Sequence, residues 1–171
     1  MVNTLPSPAY LDLVRRPPPL RRLMFEGRTP STDALAGSQF RGTNLTGTAR
    51  VLGLRRFIKG FERAADGTLT GYNRRVRGAE LASPWTASPW RGQERFGFYS
   101  VDPVDPEARD NAYLHALLLD YSLGDNPPRD PSKVLRDYLV QLPDSEMLLG
   151  HAFAAIGPWR RPVGYFLLER M

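Results

Sequence analysis

Residues 134–170 read VLRDYLVQLPDSEMLLGHAFAAIGPWRRPVGYFLLER. Three strand-length apolar runs lie here, at 134–142, 146–157 and 161–170, separated by PDS and by the turn around Gly157-Pro158. Connections this short hold no crossover helix, so neighbouring strands should run antiparallel. Immediately upstream, YLHALLLDYS (113–122) reads as a fourth strand, joined through GDNPPRDPS. By propensity that segment also suits a helix.

Further back the signals stay mostly β. RFGFYSV (95–101) is a short aromatic strand closed by VDPVDPE. RRFIKGFERA (55–64) sets Phe57 and Phe61 on one face at period two, and Asp66-Gly67 marks a tight turn that should fold 71–76 back as a hairpin. SQFRGTNL (38–45) is the first candidate strand, and TGTARVLGL (46–54) reads as a helical turn. Residues 78–94 form a proline-punctuated loop with Trp85 and Trp90 in SPWTASPW, placed either over a barrel mouth or against its side.

Before the first strand lie short helical pieces. PSPAYLDLVRR and LRRLMFEG flank prolines 17, 18 and 19, and PSTDALAG (30–37) offers Ser31 or Thr32 as a cap. The expected fold is mainly β: a single antiparallel β-barrel or strongly curved sheet of about eight strands, with short N-terminal helices. Residues 1–30 form an arm and 31–171 the barrel domain.

Composition sets outer limits. Of 171 residues, 42% are hydrophobic and 24% charged, which fits a soluble globular chain. No apolar run reaches the roughly 20 residues of a membrane span, and the start lacks the basic-then-apolar order of a secretory leader. A cytoplasmic bacterial protein without membrane insertion is the expectation. Cysteine is absent, which removes disulfide and thiolate chemistry. The net charge is +5, with 16 Lys or Arg against 7 Asp or Glu in 1–95 and 7 against 11 in 96–171. Since 21 of the 23 basic residues are Arg scattered among Pro, Gly and Ala, genome composition explains the excess better than nucleic-acid binding does.

The stretch AGSQFRGTNL (36–45) poses a separate question, because glycine weakens a strand interior. Gly37 and Gly42 permit close backbone approach around Phe40. A short helix, a Gly–aromatic pair on the first strand and an Arg on the last, here Gly37, Phe40 and Arg170, resembles the calycin pattern of lipocalins. There the motif is Gly-x-Trp, whereas this chain has Gly-x-x-Phe. The text F-x-G, LRRFIKGF and YFLLER is also similar to little-characterised bacterial proteins with a Gly-x-Trp-x-Gly signature. The likeness covers 25–62 and 113–171 loosely. It implies a barrel closed by Gly37, Phe40, Gly42 and Arg170, with a cation–π contact across the ring. Helix C-cap and bulge roles for Gly37 and Gly42 account for the same glycines equally well.

Strand alternation groups the candidate site residues. Tyr113, His115, Leu117, Leu119 and Tyr121 share one parity, as do Arg136 with Tyr138, and His151 with Phe153. An apolar lining carrying Tyr113, His115, Tyr121, Arg136, Tyr138, His151 and Tyr165 has the form of a small-ligand site, with Arg136 or Arg41 to meet an anionic head. Asp137 reads as a wet-face partner of a neighbouring Arg. Two histidines with no HxH or HExxH spacing make a poor metal set, and GxSxG, GxxxxGK[ST] and GxGxxG are absent, so neither metal nor cofactor is expected.

The expected function is binding of a small hydrophobic, in one version anionic, molecule. One alternative is an isomerase, cyclase or hydratase using His115, His151 and Tyr138 for acid–base chemistry. Another is an interaction module built on the basic first half and the tryptophan loop. Oligomeric state is left open.

Overall fold

A computed structural model describes residues 5–47, 54–89 and 92–171. Among these, eight strands close into an antiparallel barrel in which each pairs with its sequence neighbour and the last returns to the first. They are β1 (Gln39–Asn44), β2 (Arg56–Arg63), β3 (Leu69–Arg75), β4 (Phe96–Pro103), β5 (Leu117–Asp120), β6 (Leu135–Gln141), β7 (Leu148–Ile156) and β8 (Trp159–Arg170). The fold class read from the sequence is the one observed. Two readings fall outside the described residues: most of the 46–54 turn, and Trp90.

Local chemistry explains the hairpins. The β2–β3 turn uses Asp66, whose Oδ1 accepts from the Thr68 amide and hydroxyl, followed by Gly67 at φ +88°. The 113–122 segment differs from its sequence reading. Residues 113–116 make a turn, with Ala116 N bonded to Tyr113 O at 3.1 Å, and the strand runs only from Leu117 to Asp120. The alternation extrapolated back to Tyr113 and His115 therefore breaks at that turn.

Three short helices precede the barrel. Helix α1 (Pro8–Arg15) starts at Ser7, whose Oγ accepts from Tyr10 N, and stops before the three prolines. Helix α2 is Leu20–Glu26, and α3 is Thr32–Leu35, capped by Ser31. No helix among the described residues is long and apolar enough to cross a membrane.

Two apolar clusters result, one on each side of the barrel wall. Inside lie Phe40, Phe57, Phe61, Tyr99, Leu119, Leu139 and Phe166, among others. Outside, the arm helices supply Tyr10 and Met24, which pack with Ile58, Trp85, Tyr138, Val140, Leu149 and Leu167. Alternate residues of β6 and β7 are thus apolar on both faces, because α1, α2 and loops cover the outer wall.

Glycines opposite aromatics make the wall tight. Gly42 faces Phe57, Gly60 faces Tyr72, Gly71 faces Tyr99 and Gly150 faces Phe166 across neighbouring strands. A Cβ at Gly150 would lie 2.0 Å from the Phe166 ring, so the ring occupies the missing side chain's place.

Candidate functional site

One end of the barrel is plugged. Helix α3 brings Leu35 against the interior cluster, and Arg170 lies over Phe40 with Cζ 5.1 Å from the ring centroid. Arg170 Nη2 donates to Ala34 O at 2.7 Å, and Nη1 bonds Ser38 Oγ. Gly37 leaves α3 at φ +77°, and its amide reaches Phe61 O at 2.9 Å. Gly37, Phe40 and Arg170 sit together at this end, although Arg170 is itself exposed, whereas Gly42 lies against Phe57, which borders the cavity at the other end.

The opposite end opens into a cavity of about 140 Å³. Its walls are apolar: Leu54, Phe57, Phe96, Leu135, Ala152 and Phe166. Besides Asn44, Thr46 and Ser132 nearer the rim of the lining, four polar side chains border it, Lys59, Asn73, Tyr121 and Asp137.

These four form one network. Lys59 projects inward between Phe57 and Phe61, because all three share parity on β2. Its Nζ donates to Tyr121 Oη at 2.8 Å, and Tyr121 Oη donates to Asp137 Oδ2 at 3.0 Å. Lys59 Nζ and Asp137 Oδ2 are 3.7 Å apart. Asn73 Nδ2 donates to Gly97 O and approaches Tyr121 Oη at 3.5 Å. Aromatic rings surround the ammonium, with Tyr99 at 4.3 Å and Tyr121 and Phe166 both at 5.3 Å.

Burial governs the protonation of this cluster. Lys59 is 1% exposed and Asp137 3% exposed. Loss of hydration pulls Lys59 down to about 8, against the opposing pull of Asp137. The same loss raises the Asp137 carboxyl and holds the Tyr121 phenol well above its ordinary value. Asp137 Oδ1 is buried and has no hydrogen-bond partner among the described residues. An acceptor in that state costs stability unless something fills it.

The sequence-derived site residues lie elsewhere, with one exception. Tyr121 borders the cavity, whereas Tyr113, His115, Arg136, Tyr138, His151, Tyr165 and Arg41 do not. Tyr113 Oη bonds His151 Nδ1 at 2.9 Å, and the His151 ring stacks on Tyr165 at 4.0 Å, all on the outer wall. His115 Nε2 donates to Met24 O at 2.7 Å, tying the 113–116 turn to α2. Tyr138 packs against Tyr113 and Phe153. Arg136 pairs with Asp110 and Asp120 at 3.4 and 3.2 Å, and Arg41 with Glu169 at 3.2 Å. Both guanidiniums are therefore engaged with carboxylates away from the cavity.

Asp137 is the converse case. The structure turns it inward onto Lys59, not outward onto an arginine, because β6 presents Leu135, Asp137 and Leu139 to the interior. The signal for Lys59 is present in the sequence: it lies midway between Phe57 and Phe61, which share one face at period two. The tryptophan loop folds against the side of the barrel. Trp85 is 1% exposed, stacks under Arg56 at 3.8 Å and donates Nε1–H to Phe57 O. Being buried, it offers no docking surface.

A buried amine, carboxyl and phenol bordering an apolar cavity can bind a polar head and pass a proton among themselves. No protein-family model, curated protein or solved structure matches the chain.

Proposed function

We propose that the protein binds a small, predominantly apolar molecule in the barrel mouth, with its polar head at Lys59, Tyr121 and Asp137. The observation that carries this reading is the unfilled Asp137 Oδ1 beside an apolar cavity. A guest hydroxyl would donate to it, and a guest carbonyl would accept from Lys59. The cavity volume of about 140 Å³ is close to the ~150 Å³ that accommodates a benzene-sized guest. One ring, or the end of a short chain, is the matching ligand class.

The head group should be neutral. Lys59 is already paired with Asp137, so a carboxylate would gain one cation and face one anion. The plugged floor, with Arg170 over Phe40, supports a calycin-like reading of the barrel. Dye displacement by benzyl alcohol, phenol and hexanoate tests the assignment. Saturable displacement by the two neutral ligands, with hexanoate weaker, is expected. Absence of saturable displacement by any of the three would rule out the pocket as a binding site.

A further inference from the structure

Lys59 is one of only two lysines in the chain, the other being Lys133. A residue type used so rarely has here been placed inside the barrel, 1% exposed and beside the cavity. Arginine fills nearly every other cationic role, including the buried positions Arg41 and Arg56 on the outer wall. What lysine offers and arginine does not is an amine that can lose its proton and act as a nucleophile.

The geometry supplies the means to deprotonate it. From Nζ a hydrogen bond runs to Tyr121 Oη at 2.8 Å, and from that oxygen another runs to Asp137 Oδ2 at 3.0 Å. Both bonds point the same way. A concerted shift along them leaves Lys59 neutral, Tyr121 unchanged and Asp137 protonated. We propose that Lys59 captures small apolar aldehydes entering the cavity, condensing with them to an iminium held against the Asp137 carboxylate. This deepens the ligand-binding reading and rests on it.

The step balances without an external oxidant or reductant. The neutral Nζ lone pair attacks the carbonyl carbon, forming the C–N bond while the C=O π pair moves to oxygen. One proton passes from nitrogen to that oxygen, giving a carbinolamine. The Asp137 carboxyl then protonates the hydroxyl, the C–O bond breaks, and water leaves. An iminium and a carboxylate remain, with the same total charge as the starting ammonium–carboxylate pair. The iminium inherits the ring contacts that now surround the ammonium.

Burial assists the first step. Held at about 8, Lys59 has about two orders of magnitude more free amine at pH 7 than an ordinary lysine. Lys133 lies on the short 3₁₀ helix Pro131–Val134 and is not among the cavity's lining residues. It serves as an internal reference.

The test uses the intact wild-type protein with benzaldehyde and cyanoborohydride near neutral pH, read by intact mass and peptide mapping. The expected product carries a single benzyl group on Lys59, formed ahead of any on Lys133 or the N-terminal amine. Benzyl alcohol, which fits the cavity but cannot condense, should slow the reaction. Tyr121→Phe keeps the ring while removing the relay, and should slow benzaldehyde trapping on Lys59 relative to the wild-type protein. If labelling of Lys133 or the terminus keeps pace with Lys59, or benzyl alcohol gives no protection, aldehyde capture is overturned. Benzyl alcohol displacing dye while benzaldehyde leaves Lys59 unmodified overturns capture alone and leaves the binding site standing. Failure of both to displace dye overturns both.

Discussion

Arg170 and Phe40 are cross-strand partners on the β1–β8 seam, and the guanidinium of one covers the ring of the other at 5.1 Å. The same guanidinium holds α3 through Ala34 O and Ser38 Oγ, so it fastens the plug to the barrel. Because Arg170 is exposed, Arg170→Ala should cost about 1–2 kcal/mol in urea unfolding. Arg170→Lys should recover only part of that, since an ammonium lacks the planar fork. Phe40→Ala, which empties a fully buried site, should cost about 3–5 kcal/mol.

The Lys59–Asp137 pair lends itself to a double-mutant cycle. Lys59→Met alone strands a buried carboxylate and should destabilise by about 3–5 kcal/mol. Asp137→Leu alone strands the ammonium, with a similar loss. The double variant Lys59→Met/Asp137→Leu should cost much less than the sum of the two, with a coupling energy of about 2 kcal/mol or more. Additive losses in denaturant titrations would show that the two groups do not interact.

Acid should weaken the outer wall before it reaches the barrel interior. Burial, and secondarily the positive charge of Arg21, hold His151 down at about 4. Its unfolded-state value is near 6.5, so the unfolded chain takes up a proton that the native ring refuses. The contribution is fully present above about 6.5 and is lost as pH falls toward 4, at most about 3 kcal/mol in all. His151→Phe preserves the stack on Tyr165 and should flatten this part of the stability–pH curve.

Crowding at the glycine–aromatic pairs gives a further expectation. Gly150→Ala would push a methyl into Phe166 and should destabilise by about 1–3 kcal/mol. Phe166→Leu in the same chain should relieve part of the clash. Since Phe166 also borders the cavity, the single variant should change benzyl alcohol affinity as well as the midpoint of unfolding.

Much of this architecture was legible from residue patterns. Short links between apolar runs fixed antiparallel pairing, and Asp66-Gly67 marked its hairpin. Which face of each strand points inward was harder to read. Alternation assigns residues to two sets but does not label one as interior. On β6 both sets carry large side chains, Tyr138 and Val140 against Leu135 and Leu139, because the arm helices bury the outer wall too. The tyrosine-bearing set faces the outer wall, and of the site residues read from the sequence only Tyr121 borders the cavity. Tyr113 and His115 precede the strand, in a turn that the apolar pattern of 113–122 does not announce. Lys59 reads as surface from sequence, because a charged residue between phenylalanines has no visible reason to be inside until its partner, nearly eighty residues later, is brought alongside.

The β1–β8 seam has a consequence for how the chain acquires its shape. Phe40 meets Arg170 only after the chain between them, about 130 positions long, has been made, so closure must follow formation of the intervening strands. Until β8 arrives, β1 presents an open hydrogen-bonding margin and the barrel's greasy lining faces solvent. Topology dominated by such distant pairings folds slowly, on the millisecond-to-second scale, and passes through association-prone forms. The nascent protein should therefore depend on chaperone shelter more than the finished one does.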